Sequence, residues 1–153
     1  MSRAGGSRPV NAKQPPKSTL DQAHVISLPR KSDARGSLSF VEAQRHIPFQ
    51  IKRVYYLYGV PAGESRGGHA HRELDQLMIA AAGSFDVVLG DGRNQRRFSL
   101  DSPDRGLVVP RMAWREMENF SAGAVCLVLA SEYYDEGDYY RDYEEFLRAV
   151  GAR

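Results

Sequence analysis

Gly63-Glu64-Ser65-Arg66-Gly67-Gly68-His69-Ala70-His71 is the stretch on which the fold turns. In a strand, alternate side chains share a face, so His69 and His71 point the same way and Ala70 points to the other side. Two imidazoles on one face suit metal ligation or proton transfer, because histidine titrates near neutral pH. On its own, His-x-His is more often a pair of surface histidines on an exposed strand. The flanking sequence changes those odds.

Working outward, the chain reads as a succession of short strands. Residues 24–28 and 37–42 read as strands, with a loop from Pro29 to Gly36 between them. Residues 50–58 form the next, with Ile51, Arg53, Tyr55 and Leu57 on one face and Lys52, Val54, Tyr56 and Tyr58 on the other. After the histidines comes a dense apolar run, 74–82. A hairpin follows over 84–100, turning at Gly90-Asp91-Gly92. Further strands are expected at 106–110, 114–120 and 124–131. This spacing, with no internal repeat and no βαβ alternation, predicts an all-β antiparallel sandwich or barrel. From Asp138, the positions of Tyr139, Tyr143, Phe146, Leu147 and Val150 follow a helical spacing. They predict one C-terminal helix stopped by Gly151, its tyrosines used for packing.

The 153 residues suit one domain, with 42% hydrophobic and 26% charged residues. Residues 1–22 are set apart as a disordered tail, rich in Gly, Pro, Ser and basic residues in their first twenty, and 23–153 as the folded domain. Arg3, Arg8, Lys13 and Lys17 lie in that tail; without them the net charge of +2 becomes slightly negative. The basic pI therefore does not point to nucleic acid. No apolar run is long enough to span a bilayer, and the N-terminus has no hydrophobic leader core. The single cysteine, Cys126, fits a reducing cytoplasm and reads as a buried structural thiol.

The histidine segment carries a resemblance. Gly63, five residues, His69-x-His71, four residues, Gln76, six residues and Gly83 resembles the first motif of the cupin barrels, in which Glu stands at the place of Gln76. Pro110, Met112, Arg115 and Asn119 resemble the second motif, with Met112 at a Gly place and Arg115 at a His place. The implied fold is an RmlC-like jelly-roll barrel. Two of its four usual metal ligands are missing, and the guanidinium of Arg115 repels a cation. The expectation is therefore a barrel without metal or other cofactor, its imidazoles free for acid–base work. Asp75 is the one nearby acid that leaves weak adventitious metal binding open.

A closer resemblance runs over about residues 23–150. Arg35-Gly36-Ser37-Leu38, residues 47–56, Arg66 to His71, Val128 to Ser131 and Tyr133 to Tyr139 are similar to the WxcM-like, or FdtA-like, sugar 3,4-ketoisomerases. The resemblance implies an enzyme of deoxysugar biosynthesis, such as that of lipopolysaccharide, acting on dTDP-4-keto-6-deoxyglucose. It also implies a cytoplasmic homodimer that exchanges N-terminal strands. Such a reaction takes the C3 proton, passes through an enediol and reprotonates C4, so it needs no redox cofactor.

The same resemblance implies His69 as the shuttle base, His71 as its neighbour and Tyr55 as the acid at the oxygens. On sequence alone, Tyr55 is as readily a core tyrosine. Arg53 shares the inward face of Tyr55 and is costly there unless it meets a ligand; its guanidinium suits diphosphate oxygens. Arg66, Arg35, Arg115 and Gln76 complete the candidate substrate contacts. Arg35 and Arg115 stand at positions that bear on the C4 configuration of the product in that family; arginine at both matches neither the gluco- nor the galacto-type pattern. Trp114 and Tyr56 are candidates to stack on thymine, with packing the preferred role. A nucleotide-sugar epimerase of the same barrel class, a non-catalytic dTDP-sugar-binding cupin and a metal-dependent cupin oxygenase are the competing readings.

Overall fold

β-Branched and aromatic residues at alternate positions, cut by Gly, Pro and Asp at the turns, fold this chain into short strands. The computed structural model describes residues 19–153. A helical turn, α1 (Thr19–Gln22), leads into β1 (His24–Ser27), then β2 (Arg30–Asp33) and β3 (Gly36–Ser39). There follow β4 (Arg53–Leu57), β5 (Arg66–His71), β6 (Gln76–Ala82), β7 (Phe85–Gly90), β8 (Gln95–Leu100), β9 (Arg105–Val109), β10 (Trp114–Glu118) and β11 (Val125–Ala130). A 3-10 turn (Glu136–Asp138), β12 (Tyr139–Tyr140) and α2 (Tyr143–Ala149) complete it.

The strands form two five-stranded antiparallel sheets, ordered β1-β9-β6-β11-β4 and β12-β5-β10-β7-β8. Met78, Leu107 and Val128 of the first sheet meet Val87, Leu89 and Met117 of the second in one buried cluster. This is the expected all-β cupin barrel with one C-terminal helix.

Alternation decides what faces inward. On β6, Met78 and Ala80 join the interior cluster, while Leu77 and Ile79 pack on the outer face with Leu28, Ile47, Phe49 and Leu129. Gln76 continues the inward series at the strand's start and is fully buried. On β10, Arg115 and Met117 are buried between the more exposed Trp114, Glu116 and Glu118. The barrel interior is thus apolar at one end and polar at the other.

Four expectations are corrected. The segment 29–36 is a strand and a turn, because Arg30 to Asp33 pair with Ser39 to Gly36 in an exposed hairpin; polar, solvent-facing strands carry no apolar alternation. The strand expected over 50–58 spans only Arg53–Leu57. Thr19–Gln22, assigned to the tail, form α1, with Leu20 buried and Arg96 donating to the carbonyls of Leu20 and Ala23; the rest of the tail lies outside the described residues.

The fourth correction concerns the C-terminus. Tyr139 is not helical. It pairs in β12 with His71 of β5, and α2 starts at Tyr143, where the Asp142 carboxylate caps the Glu145 N–H at 2.8 Å. Gly151, at φ 72°, follows the helix end as expected. Trp114 packs outside the barrel against Tyr143 and Phe146 of α2, at centroid distances of 4.9 and 5.5 Å. Tyr56 lies on the outer face of β4, exposed beside Tyr58.

Candidate active site

The polar end of the barrel opens into a cavity of about 490 Å³ lined by Arg53, Tyr55, Arg66, His69, Tyr134 and Arg141, among others. Four strands and one connection supply it, each through its inward positions. β4 contributes Arg53 and Tyr55, β5 contributes Arg66 and His69, β10 contributes Met117, β12 contributes Tyr139, and the segment after β11 brings Tyr134.

His69 is aimed by an irregularity. Gly67 stands opposite Glu116 at a shift in the β5–β10 register, with φ at 93°. A Cβ there would come within 2.8 Å of the Arg115 carbonyl oxygen, so only glycine lets the two backbones approach this closely. A backbone hydrogen bond at Gly67 holds the imidazole, while its Nε2 is buried without a partner among the described residues. Burial first, and then the charge of Arg115, push the imidazole down to about 4. His69 is therefore neutral at pH 7, with a free nitrogen at the cavity wall.

His71 lies behind it. The two rings meet edge to face at 4.9 Å, and Tyr139 packs on both, 5.0 Å from His69 and 4.3 Å from His71. His71 is fully buried and does not line the cavity. Its Nδ1 lies 3.0 Å from the Asp138 carboxylate, whose other oxygen accepts the Glu73 N–H. Burial and Arg115 keep this imidazole neutral too. In a neutral ring Nδ1 donates to Asp138, which leaves Nε2 as a buried acceptor with no partner among the described residues.

Behind Tyr55 runs a second buried chain. Gln76 Nε2 donates to the Tyr55 hydroxyl at 2.7 Å. Arg115 in turn donates to Gln76 Oε1 and, at 3.0 Å, to the Ala113 carbonyl. Burial pushes the Tyr55 phenol above its ordinary value; the Arg115 charge and the Gln76 hydrogen bond oppose that. Burial also lowers the Arg115 guanidinium to about 10, which still leaves it a cation at neutral pH.

The candidate substrate contacts separate by position. Arg53 and Arg66 line the cavity. Arg53 lies against the Tyr55 and Tyr134 rings, at 5.3 and 5.6 Å, and its Nε is buried without a partner among the described residues. Gln76 and Arg115 are fully buried behind the wall. The structure does not bring Arg35 to the cavity: it sits exposed in the β2–β3 turn, paired with Asp33 at 2.7 Å, because the hairpin projects from the outer side of the barrel.

Four residues were not singled out as site residues from the sequence: Asp138, Tyr139, Tyr134 and Arg141. Arg141 pairs with Glu136 and covers the Tyr139 ring at 4.2 Å. The one sequence signal for the first three was their place in the Tyr133–Tyr139 segment that carries the resemblance.

The donor set does not fit a metal ion. Gln76 and Arg115 stand beside the two histidines, and Asp75 is engaged by Arg111 at 2.9 Å. Among the described residues no group of three His, Cys, Asp or Glu side chains is arranged to hold one.

The sequence and fold are shared with known proteins. The family described as FdtA, WxcM-like, C-terminal matches residues 21–151. The TDP-4-oxo-6-deoxy-α-D-glucose-3,4-oxoisomerase of Aneurinibacillus thermoaerophilus is 45% identical over 126 residues, covering 82% of this chain and 91% of that protein. A 3,4-ketoisomerase from Helicobacter canadensis superposes with a TM-score of 0.82 at 48% identity, covering 84% of this chain and 97% of the other. A histidine-to-asparagine mutant of the 3,4-ketoisomerase QdtA from Thermoanaerobacterium thermosaccharolyticum, in complex with TDP-4-keto-6-deoxyglucose, gives 0.83 at 38% identity, covering 86% and 95%. On a match that spans nearly the whole described barrel, the chain belongs to the FdtA, WxcM-like family.

Proposed function

We propose that this protein is a sugar-nucleotide 3,4-ketoisomerase that converts a TDP-linked 4-keto-6-deoxyglucose to its 3-keto isomer. The observation that carries this reading is a neutral His69 with a free Nε2 sharing one cavity with the Tyr55 hydroxyl and three arginines.

His69 takes the proton from C3 as Tyr55 gives its own to O4, and the 3,4-enediol forms. The phenolate then takes the O3 proton, and the imidazolium returns a proton to C4. The ketone now stands at C3, C4 carries hydrogen and hydroxyl, and both residues are restored. The overall change is an internal oxidation and reduction, balanced without an outside electron acceptor. His71, fixed by Asp138, backs His69 and stays neutral. Arg53 and Arg66 suit the diphosphate, with Arg141 at the same mouth.

The protein acts as a homodimer with exchanged N-terminal strands. Support comes from the outer face of the first sheet. There, a hollow of about 580 Å³ is lined by Leu28, Phe40, Val41, Ile51, Ile79 and Leu129, and Leu38 and Val54 are more than half exposed. Such apolar exposure marks an interface. A buried free thiol at Cys126 is in keeping with a cytoplasmic location.

The test is proton NMR of TDP-4-keto-6-deoxyglucose incubated with the protein in D2O. The expected result is movement of the carbonyl to C3 with deuterium at C4. His69→Asn should lose at least about 10²-fold in kcat, the scale of positioned acid–base catalysis, with an unchanged circular dichroism spectrum. Inverted configuration with the carbonyl still at C4 would make the protein an epimerase instead. Binding without turnover would make it a receptor.

A further inference from the structure

Arg115 has only donors, so the Gln76 atom facing it must be the carbonyl oxygen Oε1. That fixes the amide: Nε2 has to face Tyr55, and it donates to the phenol oxygen at 2.7 Å. The phenol cannot give its own proton back to an N–H group. Among the described residues no side chain accepts from it, and Tyr55 lines the cavity. The proton is therefore turned toward whatever occupies that space.

We propose that Gln76, clamped by Arg115, is a positioning residue that points the Tyr55 hydroxyl proton at the substrate oxygens, and that a carboxylate at this position would disable the reaction. The proposal rests on the ketoisomerase reading for the identity of those oxygens, but the orientation itself rests on geometry. All three side chains are inward, from β6, β10 and β4, and Gln76 and Arg115 have no contact with solvent. Gln76 never touches the ligand. It acts through Tyr55, both by direction and by stabilising the phenolate that forms when the proton leaves.

Gln76→Glu is nearly isosteric and keeps a partner for Arg115. It replaces the N–H facing Tyr55 by an oxygen, so the phenol donates to Glu and away from the cavity. The expected result is a fall in kcat of about tenfold or more, toward the roughly 10²-fold loss expected for Tyr55→Phe, with KM little changed. The double variant should be no slower than Tyr55→Phe alone, a non-additivity that a merely structural role would not produce.

A substrate-free measurement separates this proposal from the function assigned above. With Cζ-labelled tyrosine, the Tyr55 resonance, identified by its loss in Tyr55→Phe, should titrate at higher pH in Gln76→Glu than in the wild type. If Gln76→Glu unfolds, Gln76→Met removes the donor without adding charge and should shift the titration the same way. An unmoved Tyr55 titration, or wild-type kcat in a folded variant, overturns the proposal. Absence of turnover in the wild type with the titration shift intact overturns only the ketoisomerase reading.

Discussion

At the scale of the residue, the site depends on keeping imidazoles uncharged. His69 is held down to about 4 by burial and by Arg115, and His71 is lowered by the same two causes. In the unfolded chain both return to the ordinary value near 6.5. Between these values the unfolded state binds more protons than the native one, so their contribution to stability is complete above pH 6.5 and declines as pH falls, toward 4 for His69 and toward about 2 for His71. Thermal unfolding across this range should show Tm dropping with acid, and His69→Asn should flatten that slope. The acid limb of kcat/KM, which reports the free enzyme, should lie below the value of a free imidazole.

These residues were unequally legible. His69, His71, Tyr55 and Arg53 could be placed on inward faces by counting in twos. Asp138 and Tyr139 could not, because their partner His71 lies 67 residues away in sequence from the first and one residue farther from the second. No local period reports such a contact.

At the scale of the element, most strands were readable from alternation, and the errors have physical causes. β12 has two residues, too few to show a period, and its tyrosine falls by chance on the helical spacing of the α2 residues after it. β2 is exposed along its whole length, so nothing in its composition separates inward from outward. β5 shows how one element aims the proposed base. Its positive φ at Gly67 and its close approach to Arg115 place His69 at the wall. Gly67→Ala should cost about 1–3 kcal/mol through the backbone conformation alone, more if the strands must part, read as a lower urea midpoint. Because the displaced strand carries His69, kcat should fall with it.

At the scale of the whole molecule, the outer face of the first sheet is where the proposed homodimer would close. Leu38 and Val54 are 58% and 53% exposed on the β3 and β4 surfaces. Val54→Asp should shift the particle toward the monomer in light scattering, since a desolvated carboxylate has no partner in an apolar seam. A mass unchanged from wild type would place the interface elsewhere.

The two ends of the barrel answer to different demands. Deep in the interior, Met78, Val87, Leu89 and Val128 are wholly enclosed; truncating one, as in Met78→Ala, should cost about 2–5 kcal/mol and appear as a large drop in Tm. The groups proposed to react occupy the rim above this foundation, on the same strands but with their own polar partners. An ancestor could therefore have traded one chemistry for another by altering a handful of rim positions, while the architecture beneath went on folding undisturbed.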